Sequence, residues 1–277
     1  MVKAKIITLL TLVCIVSFSL NAQDYEWSTD CMDGTRTGCT AASETNVEEA
    51  LGRMEKGFYI APNGRKFKRR SATAKVASIV LDAQPEMLKV KKVIAFSDEE
   101  MPTLGVESRL TNWYIDILMD KVAELSGKKV DIGISNYGGV RADMPKGDVI
   151  LDDILSMFPF KNNLVYIELK GSTLRTILED MASTKFEILG GVSVVVEDGR
   201  IISIYVGDRE LDDENIYSVA TISFLLNGGD RLSLAMDAVT VEIFDMYIKD
   251  AVLEYINALT LRDEHIRGKD VGRVVKR

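Results

Sequence analysis

The clearest periodicity in the chain lies between Leu110 and Leu125, where apolar residues fall at 110, 113, 114, 117, 118, 122 and 125. That spacing predicts an amphipathic helix with one apolar stripe, ended by Gly127. Upstream, positions 76, 79, 80 and 83 repeat the pattern over Ala72–Ala83, and Pro85 is expected to stop it. Alternation or short apolar runs predict strands over Val90–Phe96, Val130–Ile134, Leu164–Leu169 and Tyr217–Thr221. Asp152–Phe158, Ser172–Ala182 and Asp245–Leu259 read as helices. Val192–Val196 and Ile201–Val206 flank Asp198-Gly199, a hairpin signal. Hairpins interleaved with helices imply an α+β fold with a mixed β-sheet and packed helices, and no repeat is visible.

The first 71 residues read differently. Lys3 and Lys5 precede a run of about fifteen mostly apolar residues, Ile6–Leu20, and Ala22 supplies a small residue at a cleavage point. The run is short for a membrane span, which needs roughly 20 residues. It predicts a secretory signal peptide over 1–22, with an N-terminal anchor helix as the competing reading. Residues 23–71 form an N-terminal extension ahead of a domain over 72–277. Within it, Thr45-Asn46-Val47-Glu48 predicts a capped helix through Met54, then a hairpin of Phe58–Ile60 and Phe67 turning at Asn63-Gly64. Cys31 and Cys39 flank a glycine-containing loop and suit a disulfide in an oxidising compartment. Two sulfurs with no nearby histidine do not make a zinc site. The expected location is exported, periplasmic or extracellular, with no membrane span after cleavage.

Composition narrows the chemistry. The chain has 277 residues and a formal charge of −8, and removing 1–22 takes Lys3, Lys5 and no acid, leaving −10. Nucleic-acid binding needs clustered cations, and the only basic run is Arg65–Arg70, so a nucleic-acid partner is not expected. The single histidine, His265, cannot furnish a two-metal hydrolytic site, and no G-x-S-x-G elbow or G-x-G-x-x-G fingerprint is present. No catalytic residue and no metal ligand is therefore expected in this chain.

Binding chemistry is richer, in three strand-end segments. Asn136-Tyr137-Gly138-Gly139-Val140-Arg141 offers an amide, glycines that admit close backbone approach, and a planar cation. Phe158-Pro159-Phe160-Lys161-Asn162 presents aromatic rings, and Phe224-Leu225-Leu226-Asn227-Gly228-Gly229-Asp230 adds another ring, glycines and an acid. Rings to stack on a base, an amide to read its edge and a carboxylate for ribose hydroxyls are what a nucleoside requires.

In this order the segments, with Glu107-Ser108-Arg109-Leu110-Thr111-Asn112 opening the long helix, resemble the C-terminal domain of the 5′-nucleotidase family. The resemblance runs from about Ala72 to Val274 and implies that family's fold. It also implies roles: Phe160 and Phe224 sandwich the base, Asn136 contacts it, Arg141 faces ribose and phosphate, and Asp230 holds the ribose hydroxyls. Gly138, Gly139, Gly228 and Gly229 shape the loops, and Arg109 stands in for a family arginine whose place is taken by Gly105-Val106. Thr111 and Arg231 replace family glycines. The family's metallophosphatase signatures have no counterpart in residues 23–71. The expectation is a nucleoside- or nucleotide-recognising subunit of a split phosphohydrolase, with the divalent metal pair on a separate metallophosphatase partner. The alternative is a non-catalytic periplasmic nucleoside-binding module.

Overall fold

The computed structural model describes residues 46–277; the expected signal peptide and the Cys31–Cys39 pair lie outside them. The amphipathic segment forms helix α3 (Arg109–Ser126), with helices α1 (Val47–Leu51) and α2 (Ala72–Val90) before it. Ser108 caps α3 by accepting from Thr111 N at 3.2 Å, while Thr111 Oγ1 accepts from Ser108 N at 2.9 Å. This reciprocal box satisfies two backbone donors at the helix start and gives Thr111 its structural reason. Gly127, with φ +65°, ends the helix in the left-handed region. Leu110, Trp113, Tyr114, Ile117, Leu118 and Val122 are buried.

The helix packs on a five-stranded mixed sheet of order β13-β7-β12-β5-β8. Its strands are β5 (Ile132–Ser135), β7 (Asn163–Lys170), β8 (Ile188–Gly190), β12 (Ile216–Ile222) and β13 (Thr240–Tyr247). β12 runs parallel to β5 and antiparallel to β7, in register from Ile216↔Lys170 to Ile222↔Leu164. Leu164, Val165, Ile167 and Leu169 of β7 are buried, so this strand is a near-continuous apolar run. Full burial of each such side chain stabilises by about 1.5–3 kcal/mol.

Around this core stand α4 (Leu151–Met157), α5 (Gly171–Ser183) and α6 (Ile248–Leu261). β9 (Val192–Glu197) and β10 (Arg200–Val206) form the expected hairpin, with Asp198 and Gly199 at φ +48° and +74°. β11 (Arg209–Glu210) and the C-terminal β14 (Val274–Lys276) complete that second sheet. β4 (Val93–Ser97) pairs with β6 (Gly147–Ile150). The fold is α+β, as the mixture of hairpins and helices implies.

The N-terminal extension carries β1 (Arg53–Glu55), β2 (Phe58–Ile60) and β3 (Lys66–Lys68), a small antiparallel sheet. Tyr59 stacks on Phe67 with centroids 6.0 Å apart and donates to Leu51 O at 2.8 Å. α1 ends at Leu51 instead of Met54, because Gly52 at φ +77° turns the chain and Arg53–Glu55 pairs with β2.

Pro85 does not stop α2, which continues to Val90; the strand expected from Val90 begins at Val93. The helix is largely exposed, so the carbonyl that loses a donor to proline has water nearby. The apolar stripe at Val76, Ile79 and Val80 is likewise exposed among the described residues, and Ala74 is the buried position. At the other end, Asp245–Tyr247 belongs to β13, not to the closing helix, which starts at Ile248.

Candidate functional site

One end of the five-stranded sheet gathers the three segments. Asn136 follows the end of β5, Ser223-Phe224 follows the end of parallel β12, and Phe160–Asn162 precedes the start of antiparallel β7. Asn163 N donates to Ser223 Oγ at 3.1 Å, tying two of the loops together. β8 is antiparallel to β5 with Ser135 opposite Ile188, so Glu187 sits one residue further, across from Asn136. Between these loops lies a small recess lined by Tyr114, Asn136, Gly139, Phe158, Phe160 and Ile248. Its floor is the tilted Tyr114–Phe158 ring pair, 4.9 Å apart, and Tyr114 is fixed by a 2.6 Å bond to Ser135 Oγ. Burial pushes the Tyr114 hydroxyl well above the ordinary tyrosine range, so it stays neutral.

Two features of this recess stand out. Asn136 is 7% exposed, yet its side-chain Oδ1 has no hydrogen-bond partner among the described residues. A buried amide oxygen left unpaired costs about 1–3 kcal/mol, which a ligand donor would recover. Phe160, which lines the recess, is 48% exposed, and Phe224, on the loop after β12 at the same sheet end, is 43% exposed.

The glycines work through space. Gly138 and Gly139 keep negative φ, but a Cβ on Gly139 would stand 2.7 Å from Asn136 Oδ1. Only the bare backbone lets the amide sit there. A Cβ on Gly229 would collide with the Phe224 carbonyl and ring, so that glycine seats Phe224. In the following turn Gly228, Asp230 and Arg231 have φ +95°, +46° and +68°. Arg231, where the family glycine is replaced, therefore holds a left-handed conformation that costs a non-glycine residue roughly 1–2 kcal/mol.

The two arginines are already engaged. Arg141 is exposed; its Nη1 donates to Gly138 O at 3.3 Å and its backbone N to Met157 O at 2.9 Å. Arg109 forms ion pairs with Glu99 and with Asp270 (3.5 Å) and donates to Gly268 O at 3.4 Å. It makes no hydrogen bond to the Asn136–Arg141 or Phe160 segments.

Glu107 is architectural. Its oxygens accept from Asn112 Nδ2 (2.8 Å), Gly272 N (3.0 Å), Arg273 N (2.9 Å) and Val274 N (3.3 Å), clamping the segment that enters β14. The buried Arg273 guanidinium pairs with Asp116 and donates to Leu189 O at 3.3 Å. His265 sits at the surface, bonded through Nδ1 to Asp98 at 2.6 Å and tilted on Phe96. Among the described residues, no three His, Cys, Asp or Glu side chains converge as a metal ion requires.

Sequence reasoning misses Glu187 and the anchoring of Tyr137. Glu187 Oε2 accepts from Tyr137 N at 2.6 Å, and the Tyr137 hydroxyl bridges Thr103 O (2.7 Å) and Gly105 N (3.1 Å). The available signal was an acid placed inside the apolar run Phe186–Leu189.

The family model described as 5′-nucleotidase, C-terminal domain, matches residues 93–237, just over half of the chain. The chain belongs to the 5′-nucleotidase C-terminal-domain family. Protein UshA of Yersinia enterocolitica (serotype O:8 / biotype 1B) is 30% identical over 250 residues, covering 79% of this chain and 45% of the relative. The trifunctional nucleotide phosphoesterase protein YfkN of Bacillus subtilis (strain 168) is 27% identical over 176 residues, covering 58% of this chain and 11% of that one. Among solved structures, a 5′-nucleotidase precursor from Thermus thermophilus aligns with TM-score 0.64 and 25% identity, over 73% of this chain and 43% of that chain. The chain thus spans less than half the length of the curated relatives it matches. The matched region contains the Asn136, Phe160 and Phe224 loops, so the recess lies inside the 5′-nucleotidase C-terminal domain itself. Among the described residues no helix is long and apolar enough to cross a membrane.

Proposed function

We propose that this domain recognises the nucleoside portion of a nucleotide for a 5′-nucleotidase-type phosphohydrolase. The observation that carries this reading is the unpartnered Asn136 amide oxygen at the recess, with the exposed ring of Phe160 on its wall and that of Phe224 on the neighbouring loop of the same sheet end. A purine or pyrimidine supplies what both lack: an edge donor for Asn136 Oδ1 and two faces for the rings. Base–aromatic stacking is worth roughly 1–3 kcal/mol per ring. Asp230, exposed in its left-handed turn, is assigned to the ribose hydroxyls, and Arg141 to the phosphate side, where releasing Gly138 O would free its fork.

The metal pair and the attacking water come from a metallophosphatase unit outside these 277 residues, carried in this reading on a separate chain of an exported complex. The experiment is a calorimetric titration of the chain with adenosine and AMP, with phosphate release followed on the same sample. Binding without release, and release once a co-purifying metallophosphatase is restored, is the expected pair of results. Absence of binding at millimolar ligand removes the nucleoside assignment. Phosphate release by the purified chain alone with Mn²⁺ removes the division of labour.

A further inference from the structure

The Asn136 amide oxygen has no hydrogen bond of its own to hold it, so its aim depends on the backbone that follows. That backbone is pinned at Tyr137 from two sides. The hydroxyl is held by the Thr103–Gly105 segment, and the amide N–H is held by Glu187, a residue only 6% exposed. Glu187 Oε2 accepts from the Tyr137 N–H at 2.6 Å.

We propose that Glu187 is the positioning residue of the ligand loop: by accepting the Tyr137 amide, its carboxylate fixes the backbone that presents Asn136 to the recess. The proposal rests on the nucleoside reading above and adds to it a residue and a dependence on pH.

The pH dependence follows from the surroundings. Burial pushes the Glu187 carboxyl above its ordinary range; the Tyr137 N–H and Lys185 pull it down, Asp230 pushes it further up, and the net shift is upward. Lys185 comes from the segment before β8, where it also lies 5.2 Å over the Tyr137 ring. Asp230 comes from the turn after β12. A charged acceptor binds an amide roughly twice as strongly as a neutral one. Protonating Glu187 therefore loosens Tyr137 and, with it, Asn136. Nucleoside affinity should fall as pH drops through a midpoint above the ordinary glutamate value of about 4.3. By linkage, bound ligand should lower that midpoint.

The test uses ¹⁵N-labelled full chain and two variants, Glu187→Gln and Glu187→Leu. In the wild type, the Tyr137 amide proton should shift with a single midpoint above the ordinary glutamate value of about 4.3, with or without ligand. Adenosine affinity should rise several-fold through the same transition. Glu187→Gln keeps a neutral acceptor, so it should bind adenosine within a few-fold of wild type while losing both transitions. Glu187→Leu should weaken binding roughly tenfold at high pH, the loss of about one charge-assisted hydrogen bond, with its circular dichroism unchanged. A Tyr137 amide that does not titrate in the wild type overturns the proposal, as does an affinity transition that survives in Glu187→Gln. If the Tyr137 amide titrates but adenosine never binds, the nucleoside reading falls and the anchoring of Tyr137 by Glu187 stands.

Discussion

Replacing Glu107 by alanine removes the acceptor that ties the C-terminal strand to the start of α3. Four donors lose their partner: Asn112 Nδ2 and Gly272 N on one oxygen, Arg273 N and Val274 N on the other. Hydrogen bonds to a charged group are each worth about 1.5–3 kcal/mol. The four are not additive, however, since Gly272 is exposed and its N–H can turn to water, and the Val274 bond is long at 3.3 Å. Counting only the two shorter bonds, to Asn112 and to buried Arg273, gives roughly 3–6 kcal/mol, and the lower end, about 3 kcal/mol, is expected because bonds sharing one carboxylate are not additive. A chain of this size loses roughly 2–4 °C of Tm per kcal/mol, so Glu107→Ala should melt about 6–12 °C lower. Urea unfolding followed by circular dichroism gives the free energy, and limited proteolysis shows whether residues after Gly268 are cut first. Glu107→Gln keeps an acceptor oxygen and should lose about half as much, with nucleoside affinity unchanged. An alanine variant within about 0.5 kcal/mol of wild type would refute the clamp.

Two further substitutions probe the site and the sheet. Gly139→Ala, compatible with the negative φ there, drives the Asn136 amide from its place and should weaken adenosine binding at least several-fold with Tm nearly unchanged; equal affinity would show that Asn136 does not contact the ligand. Asp131 experiences desolvation that raises its pKa, but bonds from Lys129 and Ser218 outweigh it and the net shift is downward. Its stabilising contribution is therefore complete above the ordinary carboxylate value of about 3.9 and lost as pH falls through the lower folded value. Asp131→Asn should thus be less stable than wild type at pH 7, with the difference closing below about pH 4 in urea titrations. A gap that is constant with pH would assign the effect to packing.

The parts of the fold that were legible in sequence are those fixed by local chemistry. The stripe of α3 with its Gly127 stop, the Asp198-Gly199 hairpin and the Asn63-Gly64 turn each follow from residues close together in the chain. β13 was not, because its alternating Val241 and Ile243 are exposed on an edge strand and Asp245–Tyr247 runs into α6 without a break. Pro85 misled for a similar reason: an exposed helix tolerates a missing donor that a buried one would not. For the site, the ordered loop motifs were readable, and strand order alone brings Asn136, Phe160 and Phe224 to one sheet end. Glu187 was not readable, since its role exists only once Ser135 pairs with Ile188. Nor could sequence show that Arg109 is held by Glu99 and Asp270, or that Glu107 grips the strand after Gly272.

In the proposed function a nucleobase stacks between Phe160 and Phe224 at this end of the sheet. The most direct measurement is calorimetric titration of adenosine into the wild type and into Phe160→Ala and Phe224→Ala. The account predicts measurable binding by the wild type and a loss of about 1–3 kcal/mol in each variant, roughly five- to 150-fold in Kd, with folding intact. Unchanged affinity in both variants would contradict it and place the nucleoside elsewhere on the domain.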